Sequence, residues 1–115
     1  LITDAMRAKH LPDGVSELGG QTVYVKDGEA RLKDGTLAGS VLKMNEAVKN
    51  LVLRVGAPFG KAIDCATVSP AKNLSLFKER GSIAVGKVAD FVVLREDFSV
   101  EKTIRGGKVI YEDKK

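Results

Sequence analysis

Residues 22–32 read TVYVKDGEARL, two short runs of strand-forming residues on either side of Asp27-Gly28. An Asp-Gly pair between two such runs is a strong short-range signal for a β-hairpin. A second pair, Asp34-Gly35, follows the second run and predicts that its strand ends there. The predicted hairpin is therefore the reference point for predicting the elements before and after it.

The residues before the hairpin are predicted to be mostly loop. LPDG at 11–14 and the pair Gly19-Gly20 are turn signals. Leu1-Ile2, in contrast, is apolar and typical of the end of a strand, and Asp4 follows it closely. Because the sequence starts inside such a run and without Met, we expect the chain to be a piece of a longer protein.

The longest periodic segment follows the hairpin at residues 41–55. Its apolar side chains recur at helical spacing, which predicts an amphipathic helix with Ser40 as its N-cap and Gly56 just after its end. A second helix is predicted over residues 58–66, and a short third one with Ser69-Pro70 as its N-cap and first residue.

The last part of the chain is predicted to be β-structure. FVVL at 91–94 is a continuous apolar run typical of a buried strand, and residues 102–105 and 109–111 flank the turn signal Gly106-Gly107. The order of a hairpin, then helices, then strands gives the chain an α+β appearance.

Composition excludes several classes of protein. Of the 115 residues 43% are hydrophobic and 30% charged, and no run approaches the roughly 20 apolar residues of a membrane-spanning helix. The net charge of +4 comes from interspersed side chains, whereas a nucleic-acid partner calls for a clustered basic patch.

The single cysteine and single histidine limit the possible sites. Cys65 and His10 are too few for a disulfide framework or a His/Cys zinc site. Cys65 lies among apolar residues and is predicted to be in the core, and His10 is predicted to be at the surface. A lone thiol favours the reducing cytoplasm.

Two segments are candidates for chemistry. Asp4 directly follows an apolar strand-like run, the position of catalytic groups on a barrel enzyme, although a turn or N-cap aspartate is the structural alternative. Residues 35–40, GTLAGS, lead into the predicted helix, whose free N–H groups suit an anion or a polar sugar group; an ordinary helix cap is the alternative. Residues 81–94 are interpreted as two tight turns that feed a strand, with Asp90 capping the turn.

Four blocks of sequence occur together in this chain. They are TDAM at 3–6, LPDG at 11–14 with LGG at 18–20, DGTLAGS at 34–40, and GSIAVGKVAD at 81–90. In this order they resemble the C-terminal part of the N-acetylglucosamine-6-phosphate deacetylase family, in the amidohydrolase superfamily, over nearly the whole chain. The last block is common to many amidohydrolases, whereas the block at 34–40 and the Asp4 loop are more specific to the deacetylases.

The resemblance implies an α/β fold class built from parts of two domains. Residues 1–80 would be the last part of a metal-dependent (β/α)8 barrel, with the catalytic loop, the hairpin and the helices. Residues 81–115 would be the C-terminal strands of a small β-sandwich domain. His10 departs from the family, in which a glycine is commoner at this position.

The resemblance also implies a reaction and residues that carry it. The enzyme would hydrolyse N-acetylglucosamine 6-phosphate to glucosamine 6-phosphate and acetate. Asp4 would be the catalytic general acid and base, because an amide nitrogen must be protonated before it leaves. Leu37, Ala38 and Gly39 would contact the sugar-phosphate substrate.

A divalent metal, zinc or iron, is implied for the full-length parent, with ligands upstream of Leu1. No metal is therefore expected on this chain, which alone is expected to be inactive. The expected partners are the amino-sugar phosphate and further copies in a homo-oligomer, without nucleic acid or membrane. Two alternatives stay open: another hydrolase of the superfamily, such as a dihydroorotase-like enzyme or a deaminase, and a non-catalytic β-rich interaction or oligomerisation module.

Overall fold

The computed structural model describes residues 1–114, and every count of elements below refers to these residues. The chain forms two compact units. The N-terminal unit is Ile2–Ala47, and the C-terminal unit is Leu1 together with the chain from Val48 onward. Each unit contains an antiparallel sheet.

The N-terminal unit consists of a short 3₁₀ helix and a four-stranded sheet in the order β1-β2-β3-β4. The elements are the 3₁₀ helix Arg7–His10, β1 (Gly14–Leu18), β2 (Gln21–Lys26), β3 (Glu29–Arg31) and β4 (Leu37–Gly39). Strands β2 and β3 form the predicted hairpin. Asp27 and Gly28 have φ values of 51° and 78°, and two successive positive φ values are what a tight two-residue hairpin turn requires.

The core of this unit follows from the alternation along β2. Val23 and Val25 are buried while Tyr24 between them is exposed, because successive side chains of a strand point to opposite faces. Met6, Ala8 and Ala30 complete the cluster of buried residues.

Three predictions for residues 1–39 are wrong. Residues 14–18 form strand β1, not a loop, because Gly19-Gly20 lets them pair with β2 along their full length. Leu1-Ile2 is not in a strand, since no neighbouring strand pairs with it within residues 1–114. Residues 37–39 do not lead directly into a helix but pair with β3.

The other elements are three helices and a three-stranded antiparallel sheet in the order β5-β6-β7. They are α1 (Met44–Leu53), α2 (Phe59–Ala66), α3 (Val68–Asn73), β5 (Phe91–Leu94), β6 (Val100–Arg105) and β7 (Lys108–Glu112). The sequence boundary between the two units falls within α1, after Ala47. Val48, Ala62 and Phe98 form the buried cluster of the C-terminal unit. None of the helices in the described chain has the length and hydropathy needed to cross a membrane.

Local signals predicted much of this unit correctly. Gly56 has φ +76° and donates its N–H to the Val52 carbonyl at 3.2 Å, so it closes the turn after α1, within a few residues of the predicted position. The turn at Gly106-Gly107 joins β6 to β7, and both glycines have positive φ. The sequence order of sheet, helices and sheet confirms the predicted mixture of α and β structure, whereas the barrel and the division at residue 80 stay predictions.

Four details of the prediction need correction. Helix α1 begins at Met44 and not near Ser40, because Ser40 is paired with Ala5. Pro70 is the third residue of α3 rather than the first, still within the first turn, where the proline's missing N–H costs nothing. Strand β5 is only partly buried: Val92 is 57% exposed, whereas Leu94 packs against the cluster of Val48, Ala62 and Phe98. Cys65 is half-buried rather than in the core.

Candidate active site

Asp4 lies near the start of the N-terminal unit in a left-handed backbone conformation, with φ 47°. Aspartate is one of the few residues other than glycine that tolerate this region. Its side chain is exposed, and within residues 1–114 its carboxylate has no hydrogen-bond or ion-pair partner. A carboxylate without a structural partner is available to exchange a proton with a bound molecule.

The turn before β4 is built by local hydrogen bonds. The Asp34 carboxylate accepts a hydrogen bond from the Thr36 N–H at 2.9 Å, and this bond, with a further one from the Thr36 side chain, lowers the pKa of Asp34. The Leu32 N–H donates to the Thr36 carbonyl at 2.8 Å, which closes the turn. These bonds reverse the direction of the chain, so that β4 runs antiparallel beside β3.

Strand β4 contains the three residues predicted to contact substrate. Leu37 is 64% exposed, and Ala38 and Gly39 are half-buried. The prediction that this segment offers the free N–H groups of a helix N-terminus is wrong, because the segment is a strand that ends well before α1. As the last strand in the sheet order, β4 instead lies at one edge of the four-stranded sheet, and β3 is the one strand of that sheet beside it.

A parallel pairing brings the two predicted site segments together. Ala5 pairs with Ser40, and the Met6 N–H donates a hydrogen bond to the Ser40 carbonyl at 2.8 Å. The Ser40 hydroxyl accepts a hydrogen bond from the Leu42 N–H at 3.1 Å, which turns the chain away from the sheet. Asp4 and β4 are therefore neighbours in space although they are distant in sequence.

Gly39 is closely packed on its side-chain face. A Cβ atom at this position would lie 3.3 Å from Leu18 Cδ2 and 3.4 Å from Met6 Sδ. The distance to Leu18 is tighter than most Cβ contacts and the distance to Met6 is a close van der Waals contact, so a side chain at position 39 would press against both neighbours. Leu18 ends β1, the other edge strand, so the two edges of the sheet approach each other here.

An ion pair fastens the 3₁₀ helix to β1. Arg7 Nη2 lies 2.8 Å from Glu17 Oε2, and the Gly20 N–H donates to Glu17 Oε1 at 3.0 Å. The hydrogen bond from Arg7 and the one from Gly20 hold the pKa of Glu17 below its ordinary value. The Arg7 guanidinium is thus directed to Glu17.

Comparison with known proteins decides the family. A model of the amidohydrolase family matches residues 5–110. The chain belongs to the amidohydrolase family. The match includes Leu37, Ala38 and Gly39 and begins one residue after Asp4.

Individual amidohydrolases resemble the chain over almost its whole length. The N-acetylglucosamine-6-phosphate deacetylase of Bacillus subtilis is 44% identical over 114 residues, which are 99% of this chain and 29% of that protein. The crystal structure of N-acetylglucosamine-6-phosphate deacetylase from Pasteurella multocida has a TM-score of 0.90 at 35% identity, covering 97% of this chain and 29% of that one. The N-acetylgalactosamine-6-phosphate deacetylase of Escherichia coli O157:H7 is 39% identical over 102 residues, which are 89% of this chain and 27% of that protein. The chain thus spans less than a third of the length of these relatives.

The residues of this amidohydrolase chain do not fit a metal centre. Within residues 1–114, no group of three or more His, Cys, Asp and Glu side chains is placed to hold a metal ion. His10 is exposed, as predicted, and Cys65 is half-buried. A depression of about 320 Å³ in the C-terminal unit, lined by residues 82–89 and Phe91, contains none of the predicted site residues.

The sequence patterns did not predict the pairing through Met6 and Ser40 that joins the two site segments, although both residues lie within those segments. A single parallel pair such as Ala5–Ser40 leaves no periodicity in the sequence, because periodicity needs several successive residues. The only available signal was that TDAM and DGTLAGS occur together in the same resemblance.

Proposed function

We propose that this amidohydrolase chain is part of an enzyme that hydrolyses N-acetylglucosamine 6-phosphate to glucosamine 6-phosphate and acetate. The similarity to deacetylases at 44% identity supports this substrate. The structural observation that supports it most directly is the pairing of Ala5 with Ser40, because a proton-transfer group and a sugar-contacting segment must be neighbours for a single substrate to touch both.

The proposed role of Asp4 is proton transfer. Its carboxylate accepts a proton from the attacking water as the new C–O bond forms at the acetamide carbonyl. It then returns that proton to the amine nitrogen as the C–N bond breaks, so that the immediate products are acetic acid and a neutral amine. The acetic acid then loses its own proton to the surrounding water and becomes acetate. Without this transfer the nitrogen would have to leave as an anion, which is prohibitively unfavourable in water.

The proposed role of Leu37, Ala38 and Gly39 is to bind the sugar phosphate. The backbone N–H and C=O groups of an edge strand such as β4 are suited to hydroxyl groups, which both donate and accept hydrogen bonds. Leu37, being largely exposed, offers an apolar side chain to the face of the sugar ring.

The proposal also includes the metal, the location, the assembly and the domain structure of the enzyme. The divalent metal, zinc or iron, would be held by residues of the full-length protein outside this chain, as the resemblance to the deacetylase family implies. We place the enzyme in the cytoplasm, consistent with a free thiol at Cys65, and expect it to be a homo-oligomer. The chain would belong to the last part of a (β/α)8 barrel and to the C-terminal strands of a β-sandwich.

The same hydrolysis of N-acetylgalactosamine 6-phosphate is the second candidate. A relative of that description is 39% identical to the chain, and the two substrates differ only in the orientation of one hydroxyl group. We favour the glucosamine substrate because the identity to its deacetylase is higher, at 44% over 99% of the chain.

The test is acetate release by the full-length protein with each of the two sugar phosphates. We expect hydrolysis of both, with the larger kcat/KM for N-acetylglucosamine 6-phosphate. A larger value for the galactosamine isomer would favour the second candidate. Release of acetate from neither would contradict the deacetylase proposal and leave the other hydrolases or the interaction module.

A further inference from the structure

We infer that Met6 is a positioning residue that fixes the Asp4 carboxylate relative to the substrate-contacting strand β4. The inference rests on the function proposed above and goes beyond it, because Met6 touches neither the proton nor the sugar in that proposal. Its backbone and its side chain both connect the Asp4 loop to β4.

The backbone of Met6 holds the chain immediately after Asp4. Its N–H donates to the Ser40 carbonyl at 2.8 Å, next to the pairing of Ala5 with Ser40. Asp4 has φ 47°, and a residue in this uncommon region stays there only where its surroundings hold it. The hydrogen bond to Ser40 supplies such a restraint within two residues of Asp4.

The side chain of Met6 connects the same loop to Gly39. It is only 7% exposed and belongs to the core cluster of Val23, Val25 and Ala30. Its Sδ lies 3.4 Å from the place that a Cβ atom at position 39 would occupy. A shift of Met6 therefore moves the Asp4 loop and leaves Gly39 with a gap or a clash, so the relative position of Asp4 and β4 depends on this contact.

The first experiment replaces Met6 by leucine in the full-length protein and measures acetate release. This exchange conserves volume and is usually well tolerated in a core, but a branched side chain cannot reproduce the path of the thioether past Gly39. Since displacing a catalytic group by about 1 Å costs on the order of 10²-fold, we expect kcat to fall roughly tenfold for a smaller displacement. KM stays nearly unchanged because pairing with β3 holds β4 in place.

Met44→Leu is the matched control, because it is the same exchange at the chain's other methionine, 38% exposed in α1. It leaves kcat and KM unchanged. A second variant, Gly39→Ala, requires Leu18 to move by a few tenths of an ångström, places a Cβ atom directly against Met6 Sδ, and lowers kcat as well. If Met6 and Gly39 act through one contact, the fold-losses of the two variants do not multiply in the double variant.

The possible outcomes separate this inference from the proposed function. A lower kcat for Met6→Leu at constant KM, with non-multiplying losses in the double variant, supports it. Unchanged kcat, fully multiplying losses, or a fall in kcat that only accompanies a loss of folded protein overturns the inference and leaves an active deacetylase. Absence of acetate release by the wild-type protein overturns both.

Discussion

The closest glycine contact in the chain gives a prediction whose magnitude follows from the structure. Gly81 has φ +87°, and a Cβ atom there would lie 2.5 Å from Ala71 Cβ and 3.0 Å from the Thr67 carbonyl oxygen. Ala71 is buried in α3, so it has no room to yield. Gly86 has the same φ of +87°, yet nothing lies within 4 Å of its Cβ position. Comparing substitutions at Gly81 and Gly86 therefore separates the free-energy cost of the steric clash from that of the backbone conformation.

Both substitutions to alanine place an L-residue in the left-handed region, at a cost of about 1–2 kcal/mol. Only Gly81→Ala also overpacks the structure, and forcing an extra carbon into a filled space costs roughly 1–3 kcal/mol. We therefore expect Gly81→Ala to lower the free energy of unfolding by about 2–5 kcal/mol, against about 1–2 kcal/mol for Gly86→Ala.

Equilibrium urea denaturation of the full-length protein, followed by circular dichroism, measures this difference. We expect the unfolding midpoint of Gly81→Ala to lie at a lower urea concentration than that of Gly86→Ala. The slope of the unfolding free energy against urea concentration stays the same, because the same surface is exposed on unfolding. Equal stability of the two variants would refute the reasoning, since it would mean that Gly81 does not pack against Ala71.

Two further predictions concern the ion pair and the chain by itself. Because the folded-state pKa of Glu17 is lowered by Arg7, the pair stabilises the fold above the ordinary glutamate pKa of about 4.3 and this contribution disappears as the pH falls through the folded-state pKa. Arg7→Gln therefore raises the Glu17 pKa measured in an NMR titration. It also makes the decrease in the free energy of unfolding on acidification smaller than in the wild-type protein. An unchanged Glu17 pKa would contradict the pairing. The 115-residue chain exposes Val109 and Ile110 by 56% and 61%, so we expect light scattering to show dimers or a marginally folded chain, without acetate release when zinc is added. A folded monomer that hydrolyses the substrate would contradict this.

Local chemistry explains which parts of the fold could be predicted from the sequence. Asp27-Gly28 and Gly106-Gly107 specify their turns through backbone conformations that few other residues adopt, and the helical spacing after Met44 reflects burial of one helix face. Each of these signals is contained within a few residues, so each was correct to within a few positions.

The elements that were missed depend on distant partners. Strands β1 and β4 are short edge strands whose outward residues carry no strict alternation, and β4 is a strand only because β3 lies beside it. The same applies to the candidate site. Asp4 and Gly39 were identified one at a time, but their proximity through Ser40 is a property of the tertiary structure. That proximity also adds a packing contact with Met6 to the proposed substrate-contacting role of Gly39.

The measurement that tests the central claim most directly compares two aspartate variants of the full-length protein. Asp4 and Asp27 are both exposed and both left-handed, with φ values of 47° and 51°, so Asp→Asn imposes the same change on each backbone. We expect Asp4→Asn to lower turnover of N-acetylglucosamine 6-phosphate by roughly 10²–10⁴-fold with an unchanged metal content, and Asp27→Asn to retain the wild-type rate. Turnover by Asp4→Asn within a few-fold of the wild-type rate would contradict the assignment of Asp4 as the proton-transfer group.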